Sequence, residues 1–140
     1  MGLDMYLQGE KFFWTNWENP DANRKEDALE VRSVRVKLGY WRKHPNLHGY
    51  IVKTFADGLD ECQEIELDRE NISQIMEAVK ARKLPETAGF FFGRSANDDD
   101  GEAEIEAEIE DDLTQLQAAL EWLDVKEANV SRSIIYRASW

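Results

Sequence analysis

The sequence predicts an α+β protein: one domain over residues 1–140, with a mostly antiparallel sheet of about five strands and about three helices packed on it. Three observations lead there. Both ends of the chain alternate apolar and polar residues at period two, which is the pattern of half-buried strands. Between them, three segments repeat apolar residues at steps of three and four, the stripe of a helix with one buried face. The 140 residues contain no internal repeat and no linker, and they suffice for one core.

The first strand is marked by Leu3, Met5 and Leu7 alternating with Asp4, Tyr6 and Gln8. Phe12, Phe13, Trp14 and Trp17 follow as an aromatic cluster, expected in the core or as a lid over it, with a ligand-stacking surface as the alternative. Residues 16–27 are polar and contain Asn19-Pro20-Asp21, a turn signal, so this stretch reads as an exposed loop. The Val-rich segment 29–40 carries alternating Arg and Lys. Its alternation changes phase between Ser33 and Val34, which predicts a bulge or bend.

Pro45 fits the first turn of a helix, where its missing N–H costs nothing. Leu47, His48, Ile51, Val52 and Phe55 then define a buried face, and Asp57-Gly58 ends the helix, for a span near 45–56. Residues 61–67 alternate again as a short strand that includes Cys62. Asp68 is a good N-cap for a second helix near 69–83, whose face is Ile72, Ile75, Met76 and Val79. Gly89 to Gly93 (GFFFG) reads as a short buried strand. From residue 102, Ile105, Ile109, Leu113, Leu116, Leu120 and Leu123 form a stripe long enough to favour a helix to about 124 over a strand, and residues 131–140 form the last strand.

Charge narrows the functional classes. The net charge of −12 opposes direct nucleic-acid binding, which needs a basic surface. Residues 24–53 hold eight basic and three acidic side chains, whereas residues 54–124 hold five basic and twenty-one acidic ones. A chain so polarised is suited to present faces of opposite sign. There is no apolar run of membrane-spanning length and no signal-peptide pattern, and a single cysteine makes no internal disulfide. A reducing, cytoplasmic setting is the expectation.

Several motifs recur together in one known group of proteins. The chain begins MGLDMYL, continues with Tyr40-Trp41-Arg42-Lys43 before His48, then Asp57-Gly58-Leu59-Asp60-Glu61-Cys62, then GFFFG, and closes Ser139-Trp140. In these residues and their order it resembles a family of small uncharacterised proteins of phages, prophages and bacteria. The resemblance implies a phage or prophage context and carries no activity with it. It is loose over residues 8–38, and this chain departs from the family by a longer acidic insert from Arg94 to about Asp112.

Two groups of residues offer chemistry. The first is Trp41, Arg42, Lys43, His48 and Asp60, with Asp57, Glu61 and Cys62 nearby. Histidine beside a carboxylate suits acid–base work, and Arg or Lys suits an anion, so a small-ligand site or hydrolase is one reading. The structural alternative is a network that caps the helix and pins the turn. His48, Asp60, Cys62 and Glu64 include metal-ligand types, but without CxxC, HxxxH or HExxH spacing no metal is expected, and no cofactor motif occurs. The second group is acidic: Asp98, Asp99, Asp100, Glu102, Glu104, Glu106, Glu108, Glu110, Asp111 and Asp112. A solvated helix face explains such a run structurally. Its functional reading is a phosphate mimic whose first nine carboxylates occupy a basic groove of another protein. The function that ranks first is non-enzymatic: a phage-type accessory protein that binds a protein partner with a basic surface, such as a host nucleic-acid-binding or defence complex.

Overall fold

The computed structural model describes residues 2–88 and 101–140. The GFFFG segment and Asp98, Asp99 and Asp100 lie outside the described residues. The fold is α+β, and the described residues form two sheets and three α-helices.

The main sheet is antiparallel and has the order β4-β1-β6-β5. Strand β1 is Asp4–Phe13, β4 is Ser33–Arg42, β5 is Ile65–Leu67 and β6 is Val130–Ser139. The two ends of the chain therefore lie side by side in the middle of the sheet, with Met5 opposite Ala138 and Leu7 opposite Tyr136. Lys25–Glu26 (β2) pairs with Leu29–Glu30 (β3) in a small exposed ribbon.

Period-two alternation makes the core face of the sheet. Leu3, Met5, Leu7, Ile134, Tyr136 and Ala138 are buried, as are Ile65 and Leu67. The bulge expected at Ser33/Val34 occurs further along. The register with β1 shifts between Leu7 and Gln8, where Gly39 faces Leu7 and Lys37 faces Gln8, leaving Leu38 as the extra residue. That insertion turns Trp41 toward the core and leaves Arg42 exposed, because the alternation resumes in the opposite phase.

Helix α1 (Pro45–Phe55), α2 (Arg69–Lys80) and α3 (Glu102–Asp124) all bury apolar residues in one core cluster with that sheet face. Asp68 caps α2: its carboxylate accepts from the Asn71 backbone N–H at 2.7 Å, and Asn71 Oδ1 accepts from the Asp68 N–H at 3.0 Å. The helix ends at Lys80, so Arg82 and Lys83, expected in its last turn, lie beyond it. The strand expected over 61–67 shrinks to its last three residues, because Cys62 adopts a left-handed backbone (φ 57°) that no strand accommodates.

Helix α3 rests close to the backbone of the sheet at two glycines. A Cβ on Gly9 would come within 2.5 Å of the Trp122 ring, and one on Gly39 within 2.7 Å of Gln115 Oε1. Gln115 Oε1 also accepts a hydrogen bond from the Tyr40 N–H at 2.6 Å. The aromatic segment after β1 is not core as expected. Trp14 is 57% exposed and Trp17 83%, where the chain has left the sheet, while Phe12 and Phe13 are half-buried at the end of β1.

Candidate functional site

The helix start at Pro45 is set by Lys43, which takes a left-handed conformation (φ 54°) and donates its N–H to the Leu3 carbonyl at 2.8 Å. This turn places His44 at the N-cap of α1 and His48 one turn on. Both imidazoles are buried, at 3% and 2% exposure. They belong to two separate polar centres.

The first centre is a chain of three side chains. His48 Nδ1 lies 2.6 Å from the Tyr136 hydroxyl and Nε2 lies 3.0 Å from Asp60 Oδ2. A carboxylate only accepts, so with a neutral ring Nε2–H donates to Asp60 and Tyr136 donates to Nδ1. The Trp140 indole N–H reaches the other Asp60 oxygen at 3.3 Å. Tyr136 is held well above the ordinary tyrosine range, first by burial and second by the Asp60 charge. This centre ties the α1 face, the turn after α1 and the last strand together.

The second centre joins α1 to α3. His44 Nε2 is 2.8 Å from Asp112 Oδ2 and 3.2 Å from Glu108 Oε1, and the Trp41 indole N–H donates to Asp112 Oδ1 at 2.9 Å. Asp112 is 1% exposed and the Glu108 side chain 22%. Glu108 and Asp112 stand one helical turn apart, on the same face of α3.

The structure divides the residues expected to form one ligand site. His48 and Asp60 meet. Trp41 turns instead to Asp112, and Arg42 and Lys43 are exposed. Cys62 and Glu64 lie apart from the His48–Asp60 pair: Cys62 is half-buried in a turn, and Glu64 pairs with Arg35, which lowers its pKa below the carboxylate norm. Of the acidic residues on α3, Glu104, Glu106, Glu110 and Asp111 are exposed. Glu102 is tied to Arg82, whose hydrogen bond lowers its pKa. Glu108, expected in solvent with the others, is half-buried because it bends toward His44.

His44 and Tyr136 are site residues that sequence reasoning missed, and Asp112 was counted with the acidic run rather than as a buried partner. Asp112 carried a signal. It falls three residues after Ile109 and four before Leu116, inside the buried stripe, where a carboxylate must have partners.

A groove of about 780 Å³ runs between α2 and α3. Met76, Ile109 and Leu113 line its apolar part, and Glu106, Glu110 and Glu121 supply its carboxylates. Its two basic residues are engaged locally, Lys80 with Glu77 at 3.6 Å and Arg82 with Glu102.

No protein-family model matches the chain, and none of the curated proteins or solved structures is significantly similar to it. Among the described residues no helix is long and apolar enough to cross a membrane.

Proposed function

We propose that this protein is a non-enzymatic accessory protein of phage or prophage type that binds a protein partner through the acidic side of α3. The observation that carries the reading is the exposed carboxylate row Glu104, Glu106 and Glu110 beside an apolar groove whose own basic residues are engaged locally. The occupant such a surface suits is a basic amphipathic segment, its apolar side on Ile109 and Leu113 and its Lys or Arg side chains on the rim. Helix α3 is 23 residues long and rests on the sheet through its C-terminal half, at Gln115 and Trp122. Its carboxylates are therefore held at fixed spacing, about 6 Å along the axis between Glu106 and Glu110. Rigid charge of this kind steers a basic partner and loses strength with salt. Host nucleic-acid-binding and defence complexes are partners of that chemistry, and blocking such a complex is the biological role we assign to the phage context.

The test replaces Glu104, Glu106, Glu110 and Glu121 together by Gln and leaves Glu108 in place, because Glu108 touches His44. Wild type and variant are used as bait in host lysate at low and high salt. A partner retained by wild type at low salt, released at high salt and not retained by the folded variant supports the reading. Equal retention by both proteins with the same salt dependence refutes it.

A further inference from the structure

We propose that His44, Glu108 and Asp112 form a binding site for one divalent transition-metal cation of the Zn²⁺ or Mn²⁺ class. The inference is independent of the partner-binding reading.

One ligand atom from each of the three residues lies within 4.8 Å of the others. Metal–ligand bonds of about 2.1 Å place neighbouring ligands about 3.0–3.4 Å apart around an octahedral or tetrahedral ion. The two separations measured from His44 Nε2, 2.8 Å and 3.2 Å, already match such edges to within a few tenths of an ångström.

The hydrogen-bond chemistry points the same way. An imidazole Nε2 carries at most one proton, yet this nitrogen faces two carboxylate oxygens. A cation among the three atoms would be bonded by all of them at once. Asp112 is also built as a ligand. Its Oδ1 is held by the Trp41 indole N–H at 2.9 Å, which aims Oδ2 at His44. Donation of this kind from outside the coordination sphere orients metal-binding carboxylates generally. Glu108 is the most solvent-exposed of the three, so an ion enters from its side. One imidazole with two carboxylates suits Zn²⁺ or Mn²⁺ better than Mg²⁺, which prefers an all-oxygen shell.

The ligands come from the start of α1 and the middle of α3, so the ion would clamp the acidic helix to the body of the fold.

The experiment uses the full chain stripped with a chelator. Zn²⁺ is titrated by calorimetry, Mn²⁺ by electron paramagnetic resonance, and Mg²⁺ serves as the comparison. The expected result is one saturable equivalent of Zn²⁺ or Mn²⁺ per chain, accompanied by a rise in Tm. Glu108→Gln, a change at a partly exposed position, should abolish it. Trp41→Phe should weaken it about 10–100-fold. Glu106→Gln with Glu110→Gln, on the exposed face, should leave it unchanged. The proposal is overturned by the absence of a saturable equivalent in wild type. It is equally overturned if binding survives Glu108→Gln, if it is lost with Glu106→Gln and Glu110→Gln, or if Mg²⁺ binds as tightly as Zn²⁺. Asp112→Asn is a further variant, and if it does not fold, Glu108→Gln still decides the matter.

Discussion

Replacing Gly9 by Ala tests whether α3 sits where both proposals need it. The new Cβ would stand 2.5, 2.7 and 2.8 Å from three carbons of the Trp122 ring. Carbon atoms pack at about 3.5–4.0 Å, so the ring or the strand must give by about 1 Å. The ring is not the loose end of a flexible side chain. The Arg132 guanidinium lies 4.7 Å from its centre, and Arg132 also donates to the Trp122 carbonyl at 2.8 Å and pairs with Glu127 at 2.6 Å. Overpacking of this kind costs about 1–3 kcal/mol. Ala gains back about 0.5–1 kcal/mol over Gly in a strand, because Gly loses more backbone freedom on folding. A net loss centred at about 1.3 kcal/mol remains, with an upper bound of about 2.5 kcal/mol. For a chain of this size it lowers Tm by about 2–8 °C in a calorimetric melt. Trp122→Leu removes the obstacle, so Gly9→Ala in that background should cost nothing or stabilise, a coupling visible in a double-mutant cycle. A neutral or stabilising Gly9→Ala in the wild-type background would show that α3 does not cross β1 there. The placement of Glu108 and Asp112 over His44 would then lose its support.

Tyr136→Phe deletes the hydroxyl that His48 Nδ1 contacts at 2.6 Å and should cost about 1–2 kcal/mol in a denaturant melt; a change within error would show that the buried contact is idle. The pH dependence has a definite sign: Tyr136 is raised above its unfolded value of 10.0, so its stabilising contribution is complete below pH 10 and is lost as pH rises further. Absorbance at 295 nm should show one of the four tyrosines ionising only as the fold is lost, and that delayed step should vanish in Tyr136→Phe. His48→Ala removes a side chain that is 2% exposed and should lower stability by about 2–4 kcal/mol while leaving partner affinity intact; a stable variant that has lost its partner would assign His48 a direct role. Deleting residues 135–140 removes half of a strand paired on both sides, with β1 and β5, and should give protein without a cooperative melt; a soluble, cooperatively melting truncation would place the last strand outside the sheet.

Local pattern made much of this fold legible. The stripe from Ile105 to Leu123 specified α3 to its ends, because a 3.6-residue period sustained over 23 residues has no strand counterpart. Pro45 and Asp68 marked two helix starts through the chemistry of the first turn. The alternation of Ile134, Tyr136 and Ala138 identified the buried face of the last strand. Where two local signals competed, the reading slipped. Residues 61–64 alternate like a strand, but the left-handed Cys62 takes them out of the sheet. The phase change in the Val-rich segment was real, yet the bulge sits at Leu38, where the approach of α3 over Gly39 decides it.

The candidate site divides along the same line. The sequence by itself determined that His48 lies on a buried helix face and that α3 carries a dense row of acids, since each follows from the period of one element. Which residues meet was decided only by the tertiary structure. His44 and Asp112 are 68 positions apart, and so are brought together only when the turn at Lys43 and the docking of α3 over Gly9 and Gly39 are both in place. Tyr136 reaches His48 across 88 positions, because β6 pairs with the first strand rather than with a neighbour in sequence. Periodicity tells a side chain which way to face on its own element. The partner it finds there depends on how separate elements stack, and that is set by the close packing of the whole core.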